Sequence, residues 1–389
     1  MIGPDREHTP EESENDMENG THHTIDRRRL LRGAAGLALG ASPLLAAACG
    51  GSSTSSGGSK KIVAKPDGDL LFFNWAQYTS PKVISSFEKR YGVKVHQSNF
   101  DNMDGMMAKL NAGVKYDVIF PENSIADKLV KANMLAEIDH AQLKNWGQAL
   151  PYFEDPWYDP KAKHTVPYAM WTSGIGWRTD RVSAPMTGSW DDLWNHPEAK
   201  GKIWLLDDMR EVLGMSLLRQ GHDVNSTDQG QLDKATQEVL KLMPSVRGFT
   251  TVNNQFVDGS GSLMHMWSGQ VWQTVSAVKN PEVFRYELPK GATPLNSDTI
   301  AIPKNAPHPG TALLFLDWIL QPENTDVNTQ YMGYPQATKQ GTETYNTITK
   351  QYPFLEIDPG QIAGAKHFEP LAPKELATWG AEWTKVKAA

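Results

Sequence analysis

Asp69-Leu70-Leu71-Phe72-Phe73-Asn74-Trp75-Ala76-Gln77-Tyr78-Thr79-Ser80-Pro81 opens the part of the chain where strand and helix signals begin to alternate. Leu70 to Phe73 is a short continuous apolar run, the pattern of a strand buried on both faces. Ser80 offers an N-cap and Pro81 a first helical position, so a helix is predicted through Phe87 to a stop near Gly92. Working outward, residues 93–96 read as a second strand and 103–110 as a helix ended by Gly113. Residues 116–120 read as a third strand and about 124–131 as a third helix. The β-α-β-α-β-α order implies a mostly parallel sheet with right-handed crossovers.

In such open sheets ligands sit beyond the carboxyl ends of the strands. The residues just past two of these strands are Asn74-Trp75-Ala76-Gln77-Tyr78 and Pro121-Glu122-Asn123-Ser124. An aromatic pair and a carboxylate therefore project toward one edge. Further along, Ile203-Trp204-Leu205-Leu206 reads as a strand followed by a helix from Asp207/Asp208 to Gln220. Residues 263–267 read as another strand, and 298–303 as a strand returning to the first lobe.

Ahead of this body the chain carries Arg27-Arg28-Arg29, an Ala/Gly-rich apolar stretch and Leu45-Ala46-Ala47-Ala48-Cys49. That arrangement reads as a twin-arginine export signal over residues 1–48, with Cys49 as the lipid-bearing first residue after cleavage. The alternative is a membrane anchor, but the apolar stretch falls short of the roughly 20 residues a span needs. GGSSTSSGGS at 50–59 is a flexible tether. Cys49 is the only cysteine, so disulfides, a thiol nucleophile and cysteine-rich metal sites are excluded. The formal charge is -7, and 37 acids against 33 bases follow Ala48, which argues against nucleic acid as a partner.

Asp208 and Glu211 share one helical face. An Asp-x-x-Glu at a helix start is also a capping box, so capping and a ligand role both stand open. Trp75, Trp171, Trp267 and Trp272 suit core packing or stacking, with Trp75 singled out by its place at a strand end beside Tyr78. Glu122 and Asp298 read equally as loop acids. No nucleophile elbow, zinc motif or phosphate loop is present, and no cofactor or metal is expected.

Several stretches together resemble a known family. They include Phe73-Asn74-Trp75-x-x-Tyr78, Trp190-x-Asp192-Leu193-Trp194, Leu206-Asp207-Asp208-x-Arg210-Glu211-Val212, Met266-Trp267-x-Gly269, Asp298-x-x-Ala301-Ile302-Pro303 and Gly333-Tyr334-Pro335. They are similar, in order, to the polyamine-binding proteins of ABC transporters, among the type 2 extracellular solute-binding proteins. The resemblance implies an α/β fold of two lobes, each a mostly parallel sheet flanked by helices, with a ligand cleft between them. Residues 67–172 and 297–342 would form the first lobe, and 173–296 and 343–389 the second. By position, Trp75 and Tyr78 would flank the methylene chain. Asp208 and Glu211 would take one set of ammonium groups and Asp298 another, while Trp267 and Tyr334 complete the walls and Glu369 adds a polar contact. The chain departs from the family at Ala76, at Asn296 in place of an aromatic, and at Glu122 and Ser124 in place of a small hydroxyl residue and a tyrosine.

Taken with the export signal and Cys49, the resemblance implies a monomeric, lipid-anchored binder in the cell envelope that delivers spermidine or putrescine to the permease and ATPase of an importer. The same fold could instead hold a cationic amino acid, a sugar or a metal chelate. An envelope hydrolase would need a base–nucleophile pair that the sequence lacks.

Overall fold

In the computed structural model the described residues are 61–290, 293–356 and 366–389. The export signal, Cys49 and the tether at 50–59 lie outside them. Leu70–Trp75 (β1) pairs in parallel with Val95–Phe100 (β2) on one side and Val118–Ile119 (β3) on the other. Leu70, Phe72 and Phe73 are almost wholly buried, as a central strand between helical layers requires. The helix Pro81–Tyr91 links β1 to β2. Ser80 accepts from the Lys82 N–H, proline begins the helix, and Gly92 ends it at a left-handed φ of 69°.

The second strand begins two residues later than its apolar signal suggests and runs through polar Gln97, Ser98 and Asn99. It is the edge of the sheet, so pairing with β1 defines it rather than burial. The third strand is shorter than its apolar run, with only Val118 and Ile119 in the ladder.

Thr165–Arg178 (β4) is the longest strand and is buried along most of its length. Ile203–Leu206 (β5), Val246–Thr250 (β6) and Leu263–Trp267 (β7) form a second parallel group, with β5 between the other two. Phe284–Glu287 (β8) and Leu295–Ala301 (β9) run antiparallel to β4. The sheet order is β2-β1-β3-β9-β4-β7-β5-β6, with β8 also on β4. From Thr165 to Thr172, β4 pairs with β9. From Ser173 to Trp177 it pairs with β7. The strand thus joins the two parallel groups, and their carboxyl ends meet where it changes partner.

Candidate functional site

Each parallel group delivers side chains to one cavity. From the first come Trp75, the last residue of β1, Tyr78 just beyond it, and Glu122 at the N-cap of the helix Asn123–Lys131. From the second come Asp208, Glu211 and Trp267. Asp208 caps the helix Met209–Arg219, Glu211 lies in its first turn, and Trp267 ends β7. Asp298 enters from β9, and Tyr334 follows Gly333, which terminates the helix Pro322–Met332. The cavity measures about 70 Å³. A single water needs roughly 10–15 Å³ on such a measure, so the space holds more than one water-sized group.

Asp298 is 3 % exposed. Its Oδ2 accepts from the Tyr78 hydroxyl at 2.5 Å, while Oδ1 has no hydrogen-bond partner among the described residues. Glu211 is 1 % exposed. Its Oε1 accepts from the Trp267 indole (2.8 Å) and the Ser173 hydroxyl (2.9 Å). Its Oε2 accepts no hydrogen bond among the described residues, with His265 Nε2 at 3.6 Å. Asp208 Oδ1 accepts from the N–H groups of Arg210 (2.8 Å) and Glu211 (3.1 Å). Asp208 is therefore a helix cap and a cavity wall at once. The box is not reciprocal, since Glu211 turns to Ser173 and Trp267 instead.

Aromatic rings line the rest. Trp75 meets Trp267 edge to face at 5.8 Å, and Trp267 meets Trp171 at 6.1 Å. Tyr78 meets Tyr334 at 5.4 Å. Gly269 makes room for this wall, because a Cβ there would stand 2.3 Å from the Tyr334 ring.

Burial dominates the electrostatics. It raises Glu122 to about 8, with Ser124 opposing and Asp208 adding to the rise. Burial and then the Glu211 charge raise Asp208 to about 7. Burial raises Asp298 to about 7 against the hydrogen bond from Tyr78. No lysine, arginine or histidine lines the cavity among the described residues. Buried carboxylates without a cation are costly, so they hold protons or await a positive ligand. The described residues hold no cluster of His, Cys, Asp and Glu suited to a metal ion.

Eight of the expected ligand residues therefore converge: Trp75, Tyr78, Glu122, Asp208, Glu211, Trp267, Asp298 and Tyr334. Three stand elsewhere. Ser124 donates to Glu122 Oε1 at 2.5 Å and lines an adjoining cavity. Asn296 points to the backbone of Phe368, whose N–H it accepts at 2.8 Å. Glu369 is exposed and engages its neighbours through backbone atoms. Phe100, Gln270, Gln273 and Phe368 also line the cavity and escaped the sequence reading, and so does Trp171, left there between core packing and stacking. Trp171 offered a signal as an aromatic in a strand. Phe368 offered none, since it sits in an irregular segment.

Residues 82–351 match the family described as bacterial extracellular solute-binding protein. The spermidine/putrescine-binding periplasmic protein of Escherichia coli K12 is 32 % identical over 276 residues, covering 70 % of this chain and 78 % of the relative. The putrescine-binding periplasmic protein PotF of the same organism is 29 % identical over 340 residues, covering 82 % and 91 %. Among solved structures, a putative spermidine/putrescine ABC transporter protein from Listeria monocytogenes superposes with a TM-score of 0.76. It is 27 % identical, and the match covers 82 % of this chain and 99 % of that one.

Proposed function

This chain belongs to the family of bacterial extracellular solute-binding proteins and has their two-lobed type 2 fold, and we propose that it captures a polyamine for an ABC importer. The observation that carries this reading is a cavity walled by carboxylates and aromatic rings, with no basic side chain in its lining among the described residues. A polyamine is an apolar chain punctuated by ammonium groups. Carboxylates accept charge-assisted hydrogen bonds from the ammoniums, and Trp and Tyr faces cover the methylenes.

In this reading Asp298 Oδ1 and Glu211 Oε2, buried oxygens of cavity residues without a hydrogen-bond partner among the described residues, receive ammonium donors. Asp208 assists at the Glu211 end, and Glu122 supplies a further carboxylate. Trp75, Tyr78, Trp267 and Tyr334 enclose the chain between them. The protein acts by binding and release rather than catalysis. A lipid on Cys49 holds it, as a monomer, at the outer face of the cytoplasmic membrane beside the importer's permease and ATPase.

Calorimetry of the purified protein with spermidine and putrescine tests the reading. Asp298→Ala removes one partner of a buried ion pair, which costs about 3–5 kcal/mol and lowers affinity by roughly two to four decades. A parallel thermal-shift screen includes basic amino acids and sugars. A response to a sugar or an amino acid, with none to any polyamine, would overturn the assignment.

A further inference from the structure

Residues 366–369 cross from the sheet to the helix Met209–Arg219, which begins with two of the cavity's acids, Asp208 and Glu211. On one side the Leu295 N–H donates to the Lys366 carbonyl (3.0 Å), and the Phe368 N–H donates to Asn296 Oδ1 (2.8 Å). On the other, Asn225 accepts from the Glu369 N–H (2.8 Å) and donates to the His367 carbonyl (2.9 Å). Arg210 closes the arrangement. Its guanidinium donates to the Glu369 carbonyl (3.0 Å) and to Asn225 Oδ1 (2.6 Å). It also lies 4.9 Å from the Phe368 ring centre and 4.7 Å from that of Trp379. The segment is thus pinned at both ends, and the ring between the pins lines the cavity beside Trp171.

We infer that Phe368 is a wall of the ligand site, and that Asn296 and Arg210 are positioning residues that act on the ligand through it. Three observations converge on this. The Asn296 side chain is 2 % exposed, outside the cavity lining, and its acceptor is engaged by the Phe368 backbone. The Arg210 guanidinium is held by a carbonyl, an amide and two rings, so it orders the Phe368 segment, while its charge also acts on Glu122 and Asp208. Phe368 is 1 % exposed and supplies an aromatic face from an irregular segment. The asparagine thereby helps to hold in place an aromatic ring contributed from a distant segment. The inference rests on polyamine capture as the function of this site.

A double-mutant cycle tests it, with spermidine and putrescine affinities measured by calorimetry on the purified protein. Phe368→Ala removes the ring and lowers affinity roughly tenfold, the scale of one aromatic wall. Asn296→Ala lowers it by a similar or smaller factor. The double variant binds no more weakly than Phe368→Ala alone, because the asparagine has nothing left to position. Phe368→Trp restores most of the affinity. If Phe368→Ala disturbs folding, Phe368→Leu retains the apolar volume and runs the same cycle. Multiplying losses in the double variant, or an unchanged affinity in Phe368→Ala, would overturn the inference while leaving polyamine capture standing. Absence of polyamine binding by the wild-type protein would overturn both.

Discussion

The Asp208 carboxylate accepts two backbone N–H groups at the start of its helix and lines the acidic cavity with the same side chain. A cap is worth about 1 kcal/mol and survives replacement by serine, whereas a charge does not. Asp208→Ser therefore leaves denaturant stability within about 1 kcal/mol of wild type but weakens polyamine binding at least tenfold. Comparable losses in both measurements would mean that the residue serves the helix alone. The raised carboxylates carry a second expectation. Asp208 and Asp298 move up to about 7 and Glu122 to about 8, so in the ligand-free protein the native state holds more protons than the unfolded chain between pH 4 and 8. Stability contributed by these groups is full below their unfolded values and is lost as pH rises through the folded ones. Urea unfolding of the ligand-free protein should show a midpoint that falls from pH 5 to pH 8, less steeply in Glu122→Gln. Ligand affinity runs the opposite way. Ammonium groups favour the ionised carboxylates, so binding strengthens across the same window and releases protons, measurable by calorimetry in buffers of different ionisation enthalpy.

At the scale of elements, the site depends on how closely helices approach the strand ends. The helix Ser268–Ala277 starts directly after β7, and Gly269 in its first turn leaves the space that the Tyr334 ring fills. Gly269→Ala must push Tyr334 or the helix aside, an overpacking that costs roughly 1–3 kcal/mol. Lower thermal stability together with weaker polyamine binding is expected, and unaltered binding would show that Tyr334 is not a working wall. Much at this scale was legible beforehand. Ser80, Pro81 and Gly92 bound the first helix by capping chemistry that needs only neighbouring residues. The edge strand β2 was misplaced because its outer residues are polar and only pairing with β1 makes them a strand. Irregular segments carry no period at all, which hid Phe368.

At the scale of the whole molecule, a ligand that touches both parallel groups binds the native state and not the unfolded chain. Saturation at a thousand times the dissociation constant adds about 4 kcal/mol. Hydrogen exchange should slow together at the first turns of the helices Asn123–Lys131 and Met209–Arg219, which face the cavity from the two groups. Protection confined to one of them would argue against a ligand bridging both. The order of strands and helices, the helix caps and the supply of acids and tryptophans were set by the sequence itself, because each depends on residues within a turn or a strand of one another. Which acids share a cavity was decided only by the tertiary structure. Tyr78 and Asp298 form one hydrogen bond across 220 positions of the chain. Asn296 turns away to hold Phe368, a pairing 72 positions apart. Local patterns carry no information about such contacts, which form only when segments distant in the chain are packed side by side.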